Sequence, residues 1–281
     1  MKDGTPSATA QRVARYRAEH QVWDVPPVFT DPLALPIIGE DAAAAARPAQ
    51  DAPEMRALRA FVAVRSRFAE DALAAAVARG VRQYVILGAG LDTFAYRNPH
   101  RDLRVFEVDH PATQAWKRQR IGEAALAVPP ALTFVPIDFA SQALFTELGR
   151  HGFDGASQAF FSWLGVTMYL EPDVVLETLR AIAMASLGNA VAFDYRIASP
   201  EHSGAAVRLA ARVALAGEPF RSTFEPHALA AELRRCGYEQ IEDLAADAIN
   251  ARYFVGRSDG LQVRGSAHLA SAAGASAVDR P

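Results

Sequence analysis

Short apolar runs alternate with longer segments of helical periodicity through the middle of the chain. The runs are rich in Val, Ile, Phe and Tyr and predict strands at about 83–88, 104–109, 132–138, 158–164 and 190–195. Amphipathic segments between them predict helices at about 111–126, 141–150 and 172–188. Strands that are apolar throughout are typical of a sheet covered on both faces. Their alternation with helices predicts a parallel, doubly wound α/β sheet.

Helical patterns also fill the segment before this region. Periodicity predicts one helix at about 9–21 and a second at about 54–79. Between them, Pro32 can begin a short helix that Asp31 or its neighbour caps. We therefore assign residues 1–80 to an N-terminal helical lid.

The pattern changes after the fifth strand. Helices are predicted at about 201–216 and 225–236, a sixth strand at 238–244, and a seventh near 267–270. Residues 81–273 are accordingly assigned to one ligand-binding domain. The Ala- and Ser-rich residues 274–281 are predicted to be a disordered tail.

The turn after the first strand has the chemistry of a nucleotide site. Gly88, Ala89 and Gly90 follow four apolar residues, and glycine lets a backbone turn sharply while a ligand approaches it. Nineteen residues after Gly90, the second strand ends at Asp109, whose carboxylate can accept hydrogen bonds from both ribose hydroxyls. Thr93 replaces the third glycine of the dinucleotide fingerprint, which favours an adenosine-type ligand such as S-adenosylmethionine over NAD. A glycine-rich turn in an unrelated α/β sheet is the alternative for so short a motif.

Acidic residues also follow the first, third and fifth strands. Because parallel strands place their carboxyl ends at one edge of a sheet, Asp92, Asp138 and Asp194 are expected beside Asp109. Asp138, with the backbone of Phe139, suits the amino group and apolar face of adenine. Asp92 suits the turn itself or the methionine end of the ligand. Each aspartate can instead cap a helix, since Asp is preferred at that position.

Composition limits the classes of protein that fit. The chain has 281 residues, 51% of them hydrophobic, and a net charge of −3, which argues against a nucleic-acid-binding surface. No apolar run reaches membrane-spanning length and the N-terminus lacks a signal-peptide core, so we predict a cytoplasmic protein without a membrane partner. The single cysteine, Cys236, excludes an internal disulfide and a cysteine-based metal cluster, and no metal is predicted. A homo-oligomer is compatible with the sequence.

The chain carries the motifs Phe29-x-Asp31-Pro32, Arg65-Ser66-Arg67-Phe68, Leu87-Gly88-Ala89-Gly90-Leu91-Asp92-Thr93, Phe106-Glu107-Val108-Asp109-x-Pro111 and Met168-Tyr169-Leu170. Together these motifs resemble the bacterial, mainly actinobacterial, branch of the leucine carboxyl methyltransferase family. The resemblance implies a mainly parallel, seven-stranded, Rossmann-like class I methyltransferase sheet under a helical lid, with S-adenosyl-L-methionine as cofactor. One departure is Leu164, where many relatives carry Glu. A contact to the cofactor's amino group or to substrate is therefore absent or supplied by another residue.

The resemblance also implies roles for individual residues. Arg65 would bind the carboxylate of S-adenosylmethionine, with Arg17 assisting from the lid, and Gly88 would contact the methionine part. Asp109 would hold the ribose, and Asp138 with Phe139 the adenine. The predicted cofactor-binding residues are Arg17, Arg65, Gly88, Ala89, Gly90, Asp92, Asp109, Asp138 and Phe139.

The predicted reaction is O-methylation of a hydroxyl or carboxyl group of a small molecule, as in secondary metabolism. A sulfonium is already a strong electrophile, so a carboxylate acceptor needs no base, whereas a hydroxyl acceptor needs one. Tyr169, Tyr195 and His202 are the candidate catalytic residues, and Arg196 is a further candidate for orienting the acceptor. An NAD-dependent oxidoreductase is a rival hypothesis, disfavoured by the missing glycine and the lack of a Tyr-x-x-x-Lys pair. The other rival is a protein that keeps the fold and binds the cofactor for structural ends or other chemistry.

Overall fold

A seven-stranded sheet in the order β3-β2-β1-β4-β5-β7-β6 organises the molecule. The computed structural model describes residues 8–40, 51–139, 141–186, 188–198 and 219–275. The strands are β1 (Gln83–Leu87), β2 (Arg104–Asp109), β3 (Leu132–Pro136), β4 (Ala159–Trp163), β5 (Ala190–Arg196), β6 (Tyr238–Leu244) and β7 (Ala267–Gly274). Strands β1 to β5 pair in parallel, and β7 runs antiparallel to both β5 and β6. The carboxyl ends of the five parallel strands therefore meet at one edge of the sheet.

Helices cover both faces of this sheet. They are α1 (Ala8–Trp23), α2 (Ala34–Ile38), α3 (Pro53–Ala78), α4 (Phe94–Arg97), α5 (Pro111–Glu123), α6 (Leu144–Arg150), α7 (Pro172–Ala185), α8 (Pro226–Arg235) and α9 (Ala246–Tyr253). A single 3₁₀ turn, Thr167–Tyr169, follows β4. None of the helices in the described part of the chain is long and apolar enough to cross a membrane.

Two apolar cores lie on opposite faces of the sheet, and the strands supply alternate residues to each. All five residues of β1 are buried. Tyr84 and Ile86 pack in the core on the α3 face, whereas Val85 and Leu87 pack in the core on the α7 face. This two-residue alternation with burial on both sides explains why the strand sequences are apolar throughout.

The predicted seven-stranded sheet is confirmed, with differences at some boundaries. The seventh strand extends to Gly274, beyond the predicted 267–270. Helix α2 begins at Ala34 and not at Pro32, because Asp31 caps the preceding turn through a hydrogen bond from Leu33 N to its Oδ1 (3.1 Å). The predicted helix at 201–216 lies outside the described residues, as do residues 276–281 of the predicted tail.

A buried ionic network fastens the end of α1 to α3. Arg59 is 1% exposed; its Nε and Nη2 donate to Asp24 at 2.7 and 2.9 Å, and its Nη1 and Nη2 donate to Asp51 at 3.1 and 2.7 Å. The backbone N–H of Val28 donates to His20 Nε2 at 2.9 Å, so the imidazole proton is on Nδ1 and is donated to Asp24 at 2.9 Å. Full pairing of these groups is what makes their burial tolerable.

Candidate active site

The turn after β1 requires glycine for its backbone conformation and for its packing. Gly88 and Gly90 have φ values of +67° and +49°. The N–H groups of Gly88 and Ala89 both donate to Val108 O, at 2.9 and 3.1 Å, which holds the turn against β2. A Cβ at Gly88 would lie 2.5 Å from Val166 Cγ2, and one at Gly90 would lie 3.2 Å from Ala10 Cβ. The segment after β4 and the start of α1 therefore lie directly against the turn.

Asp109 closes β2 beside this turn, as the spacing predicts. Its Oδ2 accepts from Gly90 N at 2.6 Å and its Oδ1 accepts from His110 N at 2.7 Å. Burial raises the pKa of Asp109, while the two backbone hydrogen bonds and nearby Lys117 oppose that rise. A carboxylate oxygen can accept more than one hydrogen bond, so acceptor capacity remains for a diol next to the glycine turn.

A buried ion pair lies two residues before Asp109 on the same face of β2. Glu107 is 0% exposed, Lys117 of α5 is 1% exposed, and Lys117 Nζ is 2.6 Å from Glu107 Oε2 without hydrogen-bond alignment. Burial raises the pKa of Glu107 to about 7, and the Lys117 charge offsets only part of that rise. The pair thus places a carboxyl group that titrates close to neutrality beneath the predicted ribose site.

We predict that Glu107→Gln changes the pH dependence of stability. Between pH 4.5 and 7 the folded protein retains a proton on Glu107 that the unfolded chain has released, so the free energy of unfolding falls as the pH rises. The loss reaches about 1.4 kcal/mol per pH unit at most. The variant lacks this contribution of Glu107 to the slope. Its amide, which faces Lys117, lowers the free energy of unfolding by an amount that does not vary with pH.

Urea unfolding from pH 4.5 to 7.5 measures this difference. The variant should gain stability relative to the wild type as the pH rises. The matched control is Glu123→Gln, an exposed acid on α5 that pairs with Arg120, and it should keep the wild-type slope. Identical slopes for wild type and Glu107→Gln would mean that Glu107 is ionised throughout this range.

The remaining predicted adenine and turn residues lie at the same edge. Asp92 Oδ1 accepts from Phe94 N at 2.7 Å, which matches the turn-orienting alternative. The backbone N–H of Asp138 donates to Gln142 Oε1 at 2.9 Å and so fixes the bend after β3. Phe139 follows with 56% of its side chain exposed, an aromatic surface that fits a base. Contacts of these three residues with a cofactor stay predictions.

Arg17 contacts the glycine turn from α1. Its Nη2 donates to Leu91 O at 2.5 Å, and its Nε lies 2.7 Å from Asp31 Oδ2. The same Asp31 oxygen accepts from Thr93 Oγ1 at 2.7 Å, and Asp31 is fully buried. Arg17 therefore braces the turn on which a cofactor would rest. Asp31 is the buried partner of both Arg17 and Thr93, a role that the sequence did not indicate.

Arg65 reaches the same edge from α3 and is oriented by the end of β5. Its Nη1 donates to Asp194 Oδ2 at 3.1 Å, and Gly165 N donates to Asp194 Oδ1 at 2.5 Å. Gly165 has φ +72°, and a Cβ there would lie 2.6 Å from Arg65 Nη2. Leu164, the predicted departure from the family pattern, packs against the apolar core. The carboxylate that contacts Arg65 is that of Asp194, which belongs to β5.

The candidate catalytic residues are placed differently from one another. Tyr169 stacks on Phe220, with ring centroids 5.6 Å apart and planes inclined by 22°. Tyr195 is fully buried on the α7 face; its hydroxyl donates to Asp243 Oδ2 and lies 3.3 Å from His268 Nδ1. Burial and the hydrogen bond to Asp243 raise the pKa of Tyr195, which opposes its use as a base. His202 lies outside the described residues.

The strand order, the glycine turn and the acid closing β2 form the arrangement expected of an S-adenosylmethionine-dependent methyltransferase. A profile of the leucine carboxyl methyltransferase family matches residues 10–183, and the chain belongs to that family. The predicted family, fold and cofactor are thereby confirmed. Residues that fit the cofactor are present at the carboxyl edge. Asp109 accepts a hydrogen bond from Gly90 N, and the Arg65 guanidinium lies close to Gly165.

Relatives of similar length share this class. YktD of Bacillus subtilis (strain 168), a proposed S-adenosyl-L-methionine-dependent methyltransferase, is 31% identical over 300 residues, covering 95% of this chain and 98% of YktD. Rv3787c of Mycobacterium tuberculosis (strain H37Rv), with the same proposed activity, is 31% identical over 225 residues, covering 75% of this chain and 72% of its own.

Solved structures show the same fold at low sequence identity. A DUF574 family protein from Streptomyces avermitilis superposes with a TM-score of 0.58 at 18% identity, covering 94% of this chain and 97% of its own. A proposed methyltransferase from Thermobifida fusca superposes with a TM-score of 0.58 at 17% identity, covering 98% of this chain and 97% of its own. Both likenesses bear on the fold alone.

Proposed function

We propose that this methyltransferase transfers a methyl group to an oxygen atom, of a hydroxyl or a carboxyl group, on a small-molecule acceptor, as in secondary metabolism. The observation that carries the proposal is the contact of Asp109 with Gly90 N at the carboxyl edge, together with the contact of Arg65, from α3, with Asp194 of β5. Membership of a carboxyl methyltransferase family supports oxygen as the methylated atom.

Different residues of this edge would bind different parts of the cofactor. Asp109 would accept hydrogen bonds from the ribose hydroxyls while its other contacts keep the glycine turn closed. Arg65, oriented by Asp194 and Gly165, would hold the methionine carboxylate. When bound, the cofactor supplies an electrophilic methyl group on its sulfonium, and S-adenosylhomocysteine is the leaving group. The chain must align an acceptor oxygen about 3 Å from that carbon and exclude water from it.

A turnover assay with defined acceptors tests the proposal. The protein is incubated with S-adenosylmethionine and a panel of phenols, enols and carboxylic acids, and S-adenosylhomocysteine and methylated product are measured by mass spectrometry. We expect acceptor-dependent turnover that Asp109→Ala lowers when S-adenosylmethionine is below saturation. Mild alkaline hydrolysis then separates a methyl ester from a methyl ether. Tight cofactor binding without turnover on any acceptor would favour the rival in which the fold serves other chemistry.

A further inference from the structure

We propose that Arg196, Phe220 and Tyr169 form a subsite for the carboxylate of a planar, conjugated acceptor. The inference rests on the proposed function, because it assigns a chemical class to the molecule that is methylated. It applies to an acceptor whose carboxylate is itself the nucleophile and to one methylated elsewhere.

Arg196 is a half-buried cation at the carboxyl end of β5. In the described ranges no carboxylate lies within ion-pair distance of its guanidinium. The buried arginines Arg17, Arg59 and Arg65 each lie against an aspartate. Removing a cation from water without a counter-ion is costly, and burial lowers the pKa of Arg196 more than nearby Tyr169 raises it. An anionic ligand would supply the missing partner.

Aromatic rings define the shape of the same subsite. The Arg196 guanidinium lies 4.1 Å from the centroid of the Phe220 ring, and Phe220 stacks in turn on Tyr169. A guanidinium in contact with a ring through its carbon can still present its N–H groups for two parallel hydrogen bonds to a carboxylate. A flat conjugated group attached to that carboxylate can pack on the exposed part of the stack. An aliphatic acid would gain the ion pair without the stacking.

Hydrogen bonds to backbone carbonyls hold the segment that carries Phe220 beside the turn after β4 and the end of β5. Arg221 N donates to Met168 O at 2.8 Å, and Ser222 Oγ donates to Thr167 O at 2.9 Å. Phe224 N donates to Arg196 O at 2.9 Å. The segment 219–224 is thus tied to both strand ends, and Phe220 is held beside Arg196 by the fold.

The subsite adjoins the residues that would hold the methionine end of the cofactor. Arg196 and Asp194 are two residues apart on β5 and share one face of the strand. Asp194 bonds to Arg65 and to Gly165. Since the reactive methyl group is attached to the methionine sulfur, a carboxylate on Arg196 would place the acceptor near the methyl donor.

Calorimetry with matched acid and amide probes tests the proposal. The protein is saturated with S-adenosylhomocysteine and titrated with benzoate, cinnamate, 2-naphthoate and indole-3-acetate, and with the four corresponding amides. We expect at least one acid to bind about tenfold or more tightly than its amide. Arg196→Met should remove that preference, and Arg196→Lys should retain part of it because the charge remains without the planar fork.

Arg221→Met is the control, since Arg221 lies next to Phe220 but is exposed and pairs with Glu171 at 2.9 Å. It should keep the wild-type preference for the acid. S-adenosylhomocysteine affinity and the thermal unfolding midpoint of each variant show whether the cofactor site and the fold are intact. No preference for any acid over its amide, or a preference that survives in Arg196→Met, overturns the subsite. Failure of the wild-type protein to bind S-adenosylhomocysteine overturns the proposed function instead.

Discussion

Asp109→Ala is expected to weaken S-adenosylhomocysteine binding by about 10- to 100-fold, because hydrogen bonds to a charged acceptor are worth roughly 1.5–3 kcal/mol. The substitution removes the predicted acceptor of the ribose hydroxyls. It also removes the partner of Gly90 N, which lies 2.6 Å from the carboxylate, so the glycine turn loses a constraint on its shape. Both effects act on binding of the adenosine moiety.

Isothermal titration calorimetry of wild type and variant measures the change. Asp109→Asn should lose less affinity, because the amide oxygen can still accept one of the hydrogen bonds. Asp102→Ala is the control, an exposed aspartate in the turn before β2, and it should bind as the wild type does. Unchanged affinity in Asp109→Ala would remove the ribose assignment.

Arg59→Met is expected to lower the free energy of unfolding by about 3–5 kcal/mol, the range for breaking a buried ion pair on one side. The variant leaves Asp24 and Asp51 buried without the guanidinium that both contact. The same contact connects α3 to the end of α1, so the loss should loosen the N-terminal helices first. Deleting the carboxylate as well, in Arg59→Met with Asp24→Asn, should recover part of the loss.

Urea unfolding of the variants tests this expectation, with Arg67→Met as the matched control on the same helix. Arg67 pairs with Asp71 at 2.7 Å, but the two side chains are 50% and 45% exposed, so its loss should cost under about 1 kcal/mol. An Arg59→Met variant as stable as Arg67→Met would contradict the role given to the buried network.

The stability of the protein at low pH provides a second test of the same network. Burial alone would raise the pKa of Asp24, but hydrogen bonds from Arg59 and His20 outweigh it and hold the pKa well below the usual range. The stabilisation is complete above the ordinary value of 3.8 and is lost as the pH falls below it. The stability of the wild type should therefore converge on that of Arg59→Met in acid.

The sheet and its binding edge could be predicted because their signals are local. Each strand is an apolar run with a turn after it, and the spacing from Gly90 to Asp109 is confined to one βαβ unit. Helix α9 was missed because Ala246–Tyr253 has weak amphipathic periodicity and only Ile249 is buried. Helix α4 spans four residues, too few for a periodic pattern.

The partners within the site could not be predicted because they come from distant parts of the chain. Arg65 and Asp194 are 129 residues apart, and Asp31 and Thr93 are 62 apart. Charge and residue type identified candidates, but three-dimensional packing decided which ones pair. Glu107 did carry a local signal, since a glutamate amid the buried residues of a strand implies a buried cation such as Lys117.

The position of β7 between β5 and β6 constrains how the protein can be made. During synthesis, residues 190–196 and 238–244 leave the ribosome before the strand that joins them, so each retains an unpaired edge until residues 267–274 arrive. Such edges are templates for pairing between chains. Completion of the sheet therefore waits for residues 267–274, and nascent chains interrupted before Ala267 should be especially prone to aggregate.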